Sequence, residues 1–380
     1  MILVGMASPA GAQYFGRNKV RFDAFPFRVM ATEHVDVYYY PEERASAALA
    51  ARLAERWYAR LSRFFDHELR DRQTLILYAS QSQFQQTNVV AGQLGEGTGG
   101  VTESLRRRVV LPLAGSLAAT DHVIGHEFVH AFQFDITVKA ERETPGLQNG
   151  AQQLPLWFVE GMAEYLSRGP VDAETAMWLR DAVVHDALPP IGKLGDPKYF
   201  PYRWGHALWA YVGGRWGEAV LVTALREAGH SGSATNALES VLGVKIADLD
   251  RDWHDAVRAT YAPWLAASQA PAEVARSPLA ERRAGELNVG PALSPDGRLL
   301  AFLSERDLLS VDLFVADVAS GRVLTKVAST TRDAHLSALQ YIASAGTWGP
   351  EGRRLAFASR RGPDATIEIY DVGARRTGTP

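Results

Sequence analysis

The nine residues Ser294-Pro295-Asp296-Gly297-Arg298-Leu299-Leu300-Ala301-Phe302 recur 55 positions later as Gly349-Pro350-Glu351-Gly352-Arg353-Arg354-Leu355-Ala356-Phe357. Proline, an acid and glycine in a row make a tight turn, because proline presets one backbone angle and glycine accepts the left-handed one. The apolar run behind each turn reads as a strand, and each copy is followed by a second alternating strand, at 312–318 and 366–372. A period of this kind means one β unit used twice, each copy burying a face on its neighbour. The chain before it has helical spacing instead. One uniform fold is therefore excluded, and an α+β organisation ending in an all-β segment is expected.

The 380 residues are enough for two or three domains. Lys+Arg total 40 against 43 Asp+Glu, so the basic excess of a nucleic-acid binder is missing and no nucleic-acid partner is expected. No apolar run reaches the roughly 20 residues of a membrane helix, so no membrane span is expected. Cysteine is absent, which removes disulfide scaffolds, thiolate metal sites and cysteine nucleophiles. Residues 1–13 contain Ala10-x-Ala12, the small-residue spacing of a signal-peptidase site with cleavage before Gln13. That reads as the remnant of a signal peptide and implies export to the periplasm or beyond.

Residues 14–115 read as an α/β subdomain. Strand signals lie at 27–40, 74–78 and 109–113, and Leu49, Leu53, Trp57, Leu61 and Phe64 put a long amphipathic helix over 45–65. Five glycines between Gly92 and Gly100 read as a loop. Residues 116–265 read as helical, with helices at 118–135, 156–168, 173–186, 204–216, 219–228 and 246–261 and a polar loop at 139–153. Residues 266–286 are rich in Ala, Pro and charge and read as a linker, and 287–380 carry the repeat.

The chemistry concentrates in His126-Glu127-Phe128-Val129-His130. Residues four apart share a helix face, so both imidazoles can grip one metal ion while Glu127 beside it takes a proton from bound water. Ile124, Phe128, Val129 and Phe132 anchor that helix in a core. A hydrolytic metal needs a third protein ligand and an open position. Glu160 and Glu164 share a face of the next, otherwise apolar helix, where a nearby cation would offset the cost of burying them.

With Trp157-x-x-Glu160-Gly161-x-Ala163 added, the pattern resembles the gluzincin metallopeptidases, and among them the aminopeptidase N-like group of the peptidase MA superfamily. The likeness covers about residues 99–217. It implies that His126, His130 and Glu160 bind one zinc ion, that Glu127 is the general base and that Glu164 orients a zinc-bound histidine. The spacing of 30 from His130 to Glu160 exceeds that of the aminopeptidases, and the polar loop accounts for the surplus. Phe200-Pro201-Tyr202-Arg203-Trp204-Gly205-His206 is similar to the family's P-Y-x-x-G segment, which implies Tyr202 as donor to the oxyanion, with Tyr199 as fallback, and places His206 near substrate. Gly99-Gly100-Val101-Thr102-Glu103 weakly resembles the G-x-M-E-N segment, which in aminopeptidases holds the substrate's amino group, so Gly100 and Glu103 are expected to bind substrate along an edge strand over 99–113. The C-terminal repeat resembles that of TolB-like β-propellers. A closed propeller needs about four to eight blades, so about two blades are an incomplete one.

The expectation is thus a gluzincin-type fold, with a small mixed sheet and a helical zinc-binding subdomain, followed by a partial propeller. The function expected is peptide-bond hydrolysis, endopeptidase rather than aminopeptidase because the amino-group segment is degraded. The propeller would add a surface for a protein partner. The competing reading is a non-catalytic envelope binding or assembly protein whose metal site is structural or vestigial. Retention of Glu127 argues against it, since a structural site needs no base.

Overall fold

The computed structural model describes residues 24–90, 94–95, 97–103, 107–113, 116–143, 150–269, 271–279, 287–307, 311–329, 338–339, 345–361 and 364–378. The signal-peptide remnant expected at 1–13 lies outside them.

Strands β1 (Arg28–Ala31) and β2 (Val35–Tyr39) form a hairpin, and helix α1 (Arg44–Phe65) leads into β3 (Gln73–Tyr78). A helical turn α2 (Gln81–Phe84) precedes β4 (Val101–Glu103) and β5 (Arg108–Pro112). The five strands pair in the order β1-β2-β3-β5-β4. The inner strands β2, β3 and β5 run parallel, and β1 and β4 are antiparallel edges. The single edge strand expected over 99–113 is therefore two strands. Arg107, at a φ of 50°, turns the chain between them, and only β4 lies at the edge.

The helical part comprises α3 (Leu117–Glu143), α4 (Gly150–Gln153), α5 (Leu156–Arg168), α6 (Ala173–Val184), α7 (Pro201–Trp216), α8 (Ala219–Ser231), α9 (Ala234–Leu242) and α10 (Ile246–Ala266). Two differences from the sequence reading have physical causes. Residues 139–143 continue α3 rather than opening a loop, since Lys-Ala-Glu-Arg-Glu is a run of strong helix formers, and α4 closes the other end of the expected loop. Helix α9 was not anticipated from its mixed composition. It is started by Ser233, whose side chain accepts from the Asn236 N–H, and held by burial of Ala234, Ala237, Leu238 and Leu242.

One core joins the mixed sheet to the helices. It runs from Val35, Val37, Leu75 and Leu111 through Trp57 and Leu61 of α1 to Phe128, Phe132, Trp209 and Trp253. The boundary expected near residue 115 is thus a change of secondary structure within one core. Helices α5 and α7 touch backbone to backbone. A Cβ on Gly161 would collide with the main chain of Gly205, and one on Gly205 with the carbonyl oxygen of Trp157. That contact brings the start of α7 against the face of α5 that carries the acids.

The C-terminal part has its own core. Strands β6 (Asn288–Leu293), β7 (Leu299–Ser304), β8 (Asp312–Asp317) and β9 (Val323–Ala328) form one antiparallel sheet. Strands β10 (Ala338–Leu339), β11 (Thr347–Trp348), β12 (Arg354–Arg361), β13 (Asp364–Asp371) and β14 (Arg376–Gly378) form the second. Ala301, Leu303, Leu313 and Val315 of the first sheet bury against Leu355, Phe357 and Tyr370 of the second. Trp348 Nε1 donates to the Ala292 carbonyl at 2.9 Å and locks the pair. Neither sheet closes into a barrel. No helix among the described residues is long and apolar enough to cross a membrane.

Candidate metal centre

Helix α3 is buried on nearly all sides between 124 and 137, which holds His126 and His130 at 7% exposure each on its one face toward α5. Their Nε2 atoms are 3.2 Å apart, and each lies 3.1 Å from Oε2 of Glu160. The hydrogen-bond partners behind the rings decide which nitrogen is bare. Gln133 donates through Nε2 to the Val159 carbonyl at 3.0 Å, so its oxygen faces His130 Nδ1 at 2.8 Å and accepts the proton there. Nδ1 of His126 faces Oε1 of Glu164 at 3.2 Å, too bent for a full hydrogen bond but favouring the proton on that side. Both Nε2 lone pairs therefore point, with a carboxylate oxygen, at one place.

Such a set calls for positive charge. Burial opposes a charge on His126, but Glu160 and Glu164 overcome it and push its pKa up to about 10. His130 is raised in the same way, against burial, by Glu160. Burial works to raise Glu160, yet the two histidines hold its carboxyl far below the usual range. A cation can take the place of the protons. Four-coordinate ions with bonds of about 2.0–2.1 Å keep their ligand atoms about 3.3 Å apart, close to the separations here. The residues fit a divalent ion with two nitrogen ligands and one oxygen ligand and with room for a further one. The donor set suits zinc and several other divalent ions.

Glu164, 4% exposed at its side chain, is neutralised around its whole carboxylate. Oε2 meets Arg168 Nε at 2.8 Å and Arg203 Nη1 at 2.9 Å, and Oε1 meets His122 Nε2 at 3.2 Å. Burial would raise its pKa, but His122, His126 and Arg203 depress it strongly, so it stays ionised behind His126.

Glu127, 5% exposed, lies beside the three donors. Thr102 Oγ1 sits 2.6 Å from its Oε2 and 3.0 Å from its carbonyl oxygen. Gly100 lets this happen, since a Cβ there would press on the Glu127 side chain at 3.0 Å. From the other side Tyr202 stacks on the His126 ring, with centroids 5.8 Å apart and planes at 17°. Burial together with the charges of Glu160 and Glu127 drives the pKa of its hydroxyl well above the ordinary phenol value. Tyr202 is thus a neutral donor at the centre.

The structure brings together His126, Glu127, His130, Glu160, Glu164, Tyr202 and Gly100. It does not bring in Glu103 or His206. Glu103 alternates with Thr102 along β4, so its side chain turns from the cleft to Arg108 Nε at 3.1 Å. His206 is 1% exposed and its Nε2 binds the Gly169 carbonyl at 2.8 Å, which removes it from any substrate. Tyr199 packs at the core margin under Lys198, and Tyr202 rather than Tyr199 lines the cleft. Sequence reasoning missed Thr102, Gln133, Arg168 and Arg203. Gln133 carried a signal, being one helical turn after His130. Arg168 carried one too, four residues after Glu164 on the same helix, whereas Thr102 and Arg203 have none, because their partners come from different elements.

No family model matches the chain, and neither does any curated protein. Among solved structures the chain is similar in part to TolB from Acinetobacter baumannii, with 17% identity, a TM-score of 0.20, and coverage of 24% of this chain and 21% of that one. A putative TolB from Agrobacterium tumefaciens is 21% identical, with a TM-score of 0.20 over 27% of this chain and 35% of that one. The chain thus spans well under half the length of either neighbour.

Proposed function

We propose that the protein is an exported, zinc-dependent endopeptidase. The observation that supports this most is the convergence of two bare imidazole nitrogens and a carboxylate on one place, with a second carboxylate, Glu127, held beside it. What a bound zinc ion would supply is Lewis-acid polarisation of the scissile carbonyl and acidification of water. Glu127, kept in position by Thr102, takes the proton of the attacking water and passes it to the departing amine nitrogen. The Tyr202 hydroxyl donates to the carbonyl oxygen as negative charge grows there. Glu164, balanced by Arg168 and Arg203, keeps the proton of His126 on Nδ1. Strand β4, at the sheet edge beside Glu127, offers its backbone to an extended chain. Engagement of Glu103 by Arg108, outside the cleft, favours an endopeptidase over an aminopeptidase.

The test is cleavage of a broad peptide library by zinc-loaded wild type and by Glu127→Gln. Cleavage that falls by about a hundredfold or more in the variant, a typical share for a general base, supports the reading. If zinc-loaded wild type cuts no member of the library, the peptidase reading fails and the metal centre is structural.

A further inference from the structure

The metal centre sits where two cavities meet, and their walls differ in chemistry. Gly100, His126, Glu127 and Tyr202 belong to both. One cavity, of about 790 Å³, extends to His122, Arg168, Glu174 and Arg203 and is polar and charged at its far end. The other, of about 540 Å³, is walled mainly by Val101, Phe134, Leu154, Leu156 and Val159, with Thr98, Thr102 and Gln152 as its uncharged polar lining. Among the described residues lining this second cavity, the ionisable side chains are those of the centre itself, His126, Glu127, His130, Glu160 and Tyr202.

We infer that the second cavity is a specificity pocket for a large apolar side chain, such as that of Phe or Leu, flanking the peptide bond to be cleaved. This deepens the peptidase reading and rests on it. A charged side chain entering here would lose its hydration with no partner of opposite charge beyond the metal centre. An apolar one covers surface that water now wets, including Leu156, which is 59% exposed at the pocket's edge. Alanine or glycine would leave most of that wall uncovered. The charged cavity on the opposite side of His126 makes the cleft asymmetric, so the preference falls on one side of the scissile bond.

The experiment uses peptides blocked at both ends, with the central positions varied and the cut sites read by mass spectrometry. Zinc-loaded wild type should favour Phe or Leu over Ala at one position flanking the cut by about tenfold or more, the usual worth of several methylenes in a fitted pocket. Leu156→Asp should cut that ratio to about threefold or less. Leu156 is the first residue of α5, where an acid suits the helix N-terminus, so this variant should fold and keep the zinc content of wild type. A binding readout accompanies it. Glu127→Gln should bind the Phe peptide more tightly than the Ala peptide by calorimetry, and the added Leu156→Asp should remove the difference. Cleavage without that preference, or a preference that Leu156→Asp leaves intact, overturns the pocket and leaves the peptidase reading standing. No cleavage of any peptide together with no selective binding overturns both.

Discussion

Thr102 Oγ1 lies 2.6 Å from Oε2 of Glu127, 25 residues away on the central helix. The edge strand that borders the cleft thus holds the candidate base directly. A hydrogen bond to a charged group contributes about 1.5–3 kcal/mol. Thr102→Val should therefore lower kcat by about 10- to 100-fold with KM little changed, and Thr102→Ser should restore most of it. Steady-state kinetics on the three proteins, with melting temperature as control, decides this. A loss confined to KM would mean that Thr102 binds substrate instead of placing Glu127.

The candidate metal ligands make a separate prediction, independent of turnover. Wild type should carry about one zinc per chain after loading, and Glu160→Ala should lose it or bind it far more weakly. Gln133→Leu removes only the acceptor behind His130 and should weaken zinc by about 10- to 100-fold. Elemental analysis and competition with a chromogenic chelator measure both. Equal affinity in wild type and Glu160→Ala would remove Glu160 from the ligand set.

Tyr202→Phe should keep zinc and KM and lower kcat by about a hundredfold, the scale seen when one oxyanion donor is removed. An unchanged kcat would leave Tyr202 as a packing partner of His126.

The contact between α5 and α7 is a stability prediction. Gly205→Ala sets a methyl group against the Trp157 carbonyl and should destabilise by about 1–3 kcal/mol, as overpacking generally does. Because the helices would part where Glu160 and Tyr202 face each other, zinc affinity should fall as well. Thermal melts and zinc titration test the two effects together, and a fully stable Gly205→Ala would show that the helices can separate at little cost.

Asp135 gives the pH dependence. It is fully buried, 2.7 Å from His67 Nε2 and 2.9 Å from Arg70 Nε, and also paired with Arg107. Burial alone would raise its pKa, but His67, Arg70 and Arg107 lower it below the usual carboxylate value. The unfolded chain therefore binds the proton more readily. The stability this gives is complete above the unfolded pKa of about 3.9 and is lost as pH falls through the depressed folded value. Asp135→Asn should lower stability near neutrality by about 3–5 kcal/mol, the cost of breaking a buried pair. It should also flatten the decline of stability in acid. Urea melts of both proteins at pH 7 and in the acid range check this.

The sequence alone determined which residues form the candidate centre. His126 and His130 share a face because a helix returns every 3.6 residues, and the same rule joins Glu160 to Glu164. The two-copy turn-and-strand repeat likewise announced paired β sheets, since a local period needs only neighbours along the chain. Tertiary structure decided what those residues face. Glu103 and His206 lie in segments that resemble binding motifs, yet strand alternation turns Glu103 to Arg108 and helix packing buries His206 on Gly169. Thr102 and Arg203 had no signature, because their roles arise only when β4, α5 and α7 meet around α3. That meeting depends on Gly161 and Gly205 approaching backbone to backbone, a contact between residues 44 positions apart that no local pattern encodes.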